Sequence, residues 1–189
     1  MSHKAQIITN ICAAVIEEDL TRASLIAKRD YPFAPLLSAG RNYTEMQATQ
    51  VFIRDGFIDR YSGERLVFPG VLRLLSRLLP TEFPFHPNWK MSETHLAYWE
   101  LFPTVDHLVP VSRGGVDAEE NWVTTSMLRN SAKANWTVDE LGWRLVPVGD
   151  VRVWDGLTHW FLSYVNNHPQ VLGEPYLKRW HQAAKGAAI

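Results

Sequence analysis

One cysteine, Cys12, stands in a chain of 189 residues. A single thiol excludes a disulfide within the chain and a structural zinc built on cysteines. In the run Ile7 to Ile16, IITNICAAVI, it reads as a small core residue. An excess of either charge is also lacking: 19 Lys and Arg against 20 Asp and Glu leave a formal charge of −1. That balance excludes a globally basic nucleic-acid binder, so any phosphate-binding surface must be local. No stretch reaches the roughly 18 apolar residues of a membrane helix. The first residues lack the charged, apolar and small-residue regions of a signal peptide. A cytoplasmic protein without a membrane partner is expected.

Apolar matter is plentiful: 46% of residues are hydrophobic and 12% aromatic, enough for a proper core. Most of the eight Trp should therefore pack. The length suits one domain. No repeat, low-complexity block or linker interrupts it, so a single domain over 1–189 is expected.

Apolar positions Ile7, Ile8, Ile11, Val15, Ile16, Leu20, Ala23 and Leu25 predict a helical stretch from Lys4 to Lys28. YPFAP, Tyr31 to Pro35, should break it. Thr44 reads as the N-cap of a helix ending near Gly56. FIDRYSGERLVFPG predicts a hairpin across Ser62-Gly63. VLRLLSRLLP should be a helix with Leu72, Leu75, Leu78 and Leu79 inward and Arg73 and Arg77 outward. A loop over 81–90, a helical turn or two before Pro103 and a β-rich stretch after Thr137 follow. LTHWFLSYV and Tyr176 to Lys185 should close the chain as helices, with a frayed GAAI end.

The informative segment lies between. TVDHLVPV is strand-like, SRGGVDAEE a loop, NWVTT a strand, and SMLRNSAKANW a helix. In register they carry Asp106-His107, Pro110, Ser112, Gly114-Gly115, Asn121, Asn130 and Lys133. Asn130 falls nine positions after Asn121, and Lys133 three after Asn130. Residues three apart share a helix face, so Asn130 and Lys133 should face one site. The two glycines permit a tight return between the strands.

This register resembles the HNH endonucleases, the ββα-metal superfamily, over about residues 104–136. The resemblance implies an α+β protein whose HNH core spans about 57–143, flanked by N- and C-terminal helices over 1–56 and 144–189. It implies a metal-dependent endonuclease acting on DNA, with RNA as a possible substrate. His107 would be the general base, since imidazole titrates near neutral pH. Asp106 and Asn130 would ligate one divalent ion. Oxygen ligands favour Mg²⁺, or Mn²⁺, over Zn²⁺. Asn121 would fasten the loop and orient His107, and Lys133 would help neutralise a phosphate. The hairpin resembles the element that often carries a zinc-binding Cys-x-x-Cys in this family. Here it reads Asp59-Arg60-Tyr61-Ser62-Gly63, so no structural zinc is expected and packing must replace it.

Arg60, Arg65, Arg113 and Arg129 are the candidate nucleic-acid contacts, with Arg73 and Arg77 as further members of the local positive run. His86 and His95, with Glu93 and Glu100, could add a ligand or shape the cleft, but loop packing and capping are the expected roles. Trp122, Trp136 and Trp143 should pack around the motif. Two other functions compete: a catalytically silent nucleic-acid-binding module, and a nuclease subunit active only in a restriction, defence or mobile-element assembly, where a protein partner supplies specificity. A purely structural metal-binding domain is a further alternative.

Overall fold

A computed structural model of the chain describes residues 4–33 and 43–187. It divides into two compact units, Met1–Leu37 and Ser38–Ile189, where composition suggests one. In the first unit, α1 (Lys4–Ile16) and α2 (Leu20–Asp30) form a helical hairpin. The expected continuous helix is broken because Glu18 takes a left-handed φ of 60° and Asp19 caps α2, accepting from the Arg22 N–H at 2.8 Å. Ala14 and Ala23 are the buried residues of this hairpin. The breaker at Tyr31 begins a non-helical stretch, whereas Ala34, Pro35 and the last two residues of GAAI lie outside the described residues.

The second unit is mixed helix and strand. Helix α3 (Glu45–Arg54) starts as expected. Thr44 and Gln47 form a reciprocal capping box that satisfies two otherwise unpaired N–H groups. Next comes the hairpin, closed by one antiparallel bridge between Ile58 and Arg65 and a turn at Gly63, φ 82°. Helix α4 (Pro69–Leu78) opens on a proline, whose missing N–H costs nothing at that position. Its buried face is Val71, Leu72 and Leu74, while Leu78 and Leu79 are exposed. The expected face is thus shifted: Leu72 is buried as expected, but α4 turns Val71 and Leu74 inward in place of Leu78 and Leu79. Arg73, expected outward, pairs with Glu174.

Helix α5 (Ala97–Glu100) leads into β1 (Pro103–His107). After the loop, β2 (Trp122–Ser126) pairs antiparallel with β1, placing His107 opposite Trp122 and Pro103 opposite Ser126. Helix α6 (Met127–Lys133) follows directly, capped by the Ser126 hydroxyl on the Arg129 N–H. The predicted strand–loop–strand–helix order is therefore present. The β-rich stretch expected after Thr137 is not a strand. Pro147 supplies no N–H, and the neighbouring amides of Val146 and Gly149 bond singly to Arg60 O and Asp55 O. Helices α7 (Thr158–Asn167) and α8 (Pro175–Gly186) close the unit. Phe52, Phe57, Phe68, Phe161, Leu177 and Trp180 are central to its core. Among the described residues no helix is long and apolar enough to cross a membrane.

With a single bridge, the hairpin needs other fasteners. Two fully buried carboxylates provide them. Asp59 accepts from Tyr61 N at 2.9 Å, Ser126 N at 2.9 Å and the Thr125 hydroxyl at 3.1 Å. Asp55 accepts from Thr124 N at 2.7 Å and pairs with Arg54 and Arg60. Both tie the sequence before α4 to β2 and so set where β1, β2 and α6 sit.

Candidate active site

The site grows from the end of β1. Strand alternation sends Asp106 and His107 to opposite faces. Asp106 points inward. Its Oδ2 accepts the Tyr61 hydroxyl at 2.6 Å and faces the Lys133 ammonium at 3.0 Å. Burial, and then the Asp106 carboxylate, raise the Tyr61 pKa well above its ordinary value, so the phenol remains a donor. Lys133 is 0% exposed and also donates to His107 O at 2.7 Å. It was expected at a phosphate. One turn of α6 carries it under the sheet instead, where it closes the ring of β1, α6 and hairpin. A phosphate therefore cannot reach it unless this packing opens.

His107 is also largely enclosed, at 4% exposure. Its Nε2 lies 2.7 Å from Asp117 Oδ1, and the Trp122 indole N–H lies 3.0 Å from each of these atoms. An indole N–H only donates, and a bare imidazole nitrogen would repel the carboxylate. The triangle therefore puts a proton on His107 Nε2, with Asp117 accepting from both rings. Nδ1 remains as the acceptor. Among the described residues, the buried side-chain nitrogen or oxygen lacking a partner is His181 Nε2. His107 Nδ1 makes no hydrogen bond among the described residues.

Asn121 fastens the loop that carries Asp117, as expected. Its Oδ1 accepts from Val109 N at 2.9 Å, and its Nδ2 donates to Val109 O and Val116 O, each at 2.8 Å. The glycines have separate duties. Gly114 takes a left-handed φ of 89°. At Gly115 a Cβ would lie 1.9 Å from Val109 O, so only hydrogen fits.

Asn130 sits one turn before Lys133, but the two do not share one partner. Asn130 donates through Nδ2 to Thr104 Oγ1 at 2.9 Å and Val105 O at 3.3 Å. It borders a cavity with Tyr43, Thr104, Met127, Ser131 and Ala134. The expected metal ligands can thus be tested against their surroundings. Asp106 already faces one ammonium, and its second ligand partner would be a neutral amide. A hard divalent ion gathers carboxylates and water in an open octahedral shell. Beside Lys133, Asp106 and Asn130 do not fit that shell.

The candidate nucleic-acid contacts are mostly engaged. Arg60 bonds Val146 O at 2.8 Å and Asp55 at 3.1 Å. Arg113 pairs with Glu140, whose pKa is pulled down to about 2 by that guanidinium and by Thr137 N–H. Arg129 lies 3.6 Å from Asp59. Arg65 is exposed and stacks over Trp154 at 5.3 Å. Beside the strand end, a groove of about 470 Å³ runs along Leu108, Val109, Val138, Trp143 and Leu145. Trp143 packs against Tyr61 at 5.4 Å and Trp122 is buried, as packing residues should be. Trp136 is exposed. His86 and His95 shape the upstream loop, accepting from Asn88 N and Ala97 N.

Sequence reasoning missed Asp117, Tyr61, Asp55 and Asp59. Only Asp117 carried a signal: an acid just after a double glycine, in the loop leaving His107. No family model, curated protein or solved structure matches this chain.

Proposed function

We propose that the β1–loop–β2–α6 element is an HNH-type ββα core and that the protein cuts phosphodiester bonds in nucleic acid, with DNA as the first substrate and RNA as the alternative. The observation that carries this is the His107–Asp117 pair at the end of β1, in which Asp117 holds Nε2 and leaves Nδ1 as the acceptor. Nδ1 accepts a proton from water while the water oxygen attacks phosphorus. The bond to the leaving sugar oxygen breaks, and that oxygen takes a proton from solvent. Asp117 holds the ring through Nε2–H and offsets the positive charge that develops on it. Asn121 and Gly115 fix the loop that carries Asp117. The family resemblance also calls for Mg²⁺ or Mn²⁺ on Asp106 and Asn130; Lys133 stands against this, and no step here runs through an ion.

A nicking assay tests the proposal. Supercoiled plasmid and a labelled RNA are incubated with wild type, His107→Ala and Asp117→Asn, each with Mg²⁺, Mn²⁺ or EDTA. Wild type should nick and His107→Ala should not. Asp117→Asn should lose roughly 10²-fold or more, with a displaced pH profile. Equal cleavage by folded His107→Ala would remove His107 from the mechanism.

One observation favours a second reading. Arg60, Arg113 and Arg129, three of the four candidate contacts, each face an acid rather than standing free for phosphates. On that reading the chain is a subunit that cuts only when a protein partner supplies DNA affinity, or a silent binding module. No cleavage by folded wild type, restored by a partner, would select the former.

A further inference from the structure

We infer that Lys133 is the built-in cation of this site, holding the place against Asp106 that a divalent ion would otherwise take. The inference rests on the proposed function only in naming Asp106 and Asn130 as the ligands a metal would use. The geometry stands whether or not the protein cuts nucleic acid.

Three observations carry it. First, Lys133 is fully buried, and its ammonium bridges two groups at the end of β1: Asp106 Oδ2 at 3.0 Å and His107 O at 2.7 Å. A carboxylate oxygen and a main-chain carbonyl are the donors a hard ion seeks. Second, the same Oδ2 accepts the Tyr61 hydroxyl at 2.6 Å, so its lone pairs are already directed at two protons. Third, Asn130 turns its amide N–H₂ toward Thr104 Oγ1 and Val105 O, which anchors the side chain on β1. An ion entering here would meet a positive charge within a few ångströms in a poorly hydrated space. Like charges repel far more strongly there than in water. The lysine also reaches where a mobile ion need not. It joins α6 to the residue that carries the imidazole, so it fixes the strand end that presents His107.

Mn²⁺ binding to the full chain tests the inference without recourse to activity. Wild type and Asp106→Asn are titrated with Mn²⁺ to millimolar levels by electron paramagnetic resonance, with thermal melting in parallel. The two should give the same curve, with no bound ion assignable to Asp106. Lys133→Gln keeps a hydrogen-bond donor and removes the charge; Lys133→Met keeps the stem. Either variant should bind Mn²⁺ at least about tenfold more tightly than wild type and melt higher with it, and Asp106→Asn should abolish both gains. Stoichiometric Mn²⁺ on wild type, lost in Asp106→Asn, would overturn the inference. So would a folded Lys133→Gln that binds no better than wild type. If neither lysine variant folds, the comparison of wild type with Asp106→Asn decides alone. The nuclease reading fails separately: a protein that cuts nothing still gives these binding curves.

Discussion

Replacing Asp59 with alanine should be among the most damaging changes in the second unit. The carboxylate is 0% exposed and accepts from Tyr61 N, Ser126 N and the Thr125 hydroxyl. The hydroxyl can rotate to another acceptor, but the two amides are fixed by the backbone. Each buried donor left without a partner costs about 1–3 kcal/mol, and a small cavity adds to this. The expected loss is about 4 kcal/mol, and the thermal midpoint should fall by roughly 10 °C. Asp59→Asn should lose about half as much, because its amide still offers one oxygen while its N–H₂ faces a donor. Urea unfolding followed by tryptophan fluorescence suits the measurement, since all eight Trp lie beyond residue 38 and so report the second unit. The midpoint should drop with an unchanged slope. A loss below about 1 kcal/mol for Asp59→Ala would refute the claim that this carboxylate fastens the hairpin to β2.

Gly115→Ala should destabilise the loop by about 3 kcal/mol or more, because its Cβ would lie 1.9 Å from Val109 O. Hydrogen exchange at Leu108 and Val109 reads the opening, and unchanged protection would contradict the packing. His181 gives a pH test: its Nε2 is buried without a partner, and burial, then Lys185, lower its pKa. The fold therefore prefers the neutral ring. Its contribution is complete above the unfolded histidine value of about 6.5 and is lost as pH falls below it. Wild type should lose more stability between pH 7.5 and about pH 5 than His181→Leu does; parallel losses would show that this ring is not responsible.

Some elements were legible because their causes are local. Thr44 and Gln47 cap α3 across three positions. The strand, double glycine, Asn121 and following helix were also readable, since Asn121 fastens a loop within twelve residues of itself. Other expectations failed where helix phase or strand pairing depends on distant packing. Leu78 and Leu79 share the apolar character of Leu72 but are exposed where Leu72 is buried. Val146 has the residue type of a strand but finds only Arg60 as a backbone partner.

By itself, the sequence determined the element order from α3 to α6, the absence of a cysteine-built zinc site and the placing of Asp106 and His107 at a strand end. Those features follow from residue type and short spacing. Only the tertiary structure decided what these side chains face. Tyr61 meets Asp106 across 45 positions, Asp59 meets Ser126 across 67, and Lys133 reaches back 26 to His107 O. A buried charge takes whatever partner chain closure brings near, and no local pattern specifies that partner. For the same reason, Lys133, expected at a phosphate, lies beneath the site as the counter-charge of Asp106.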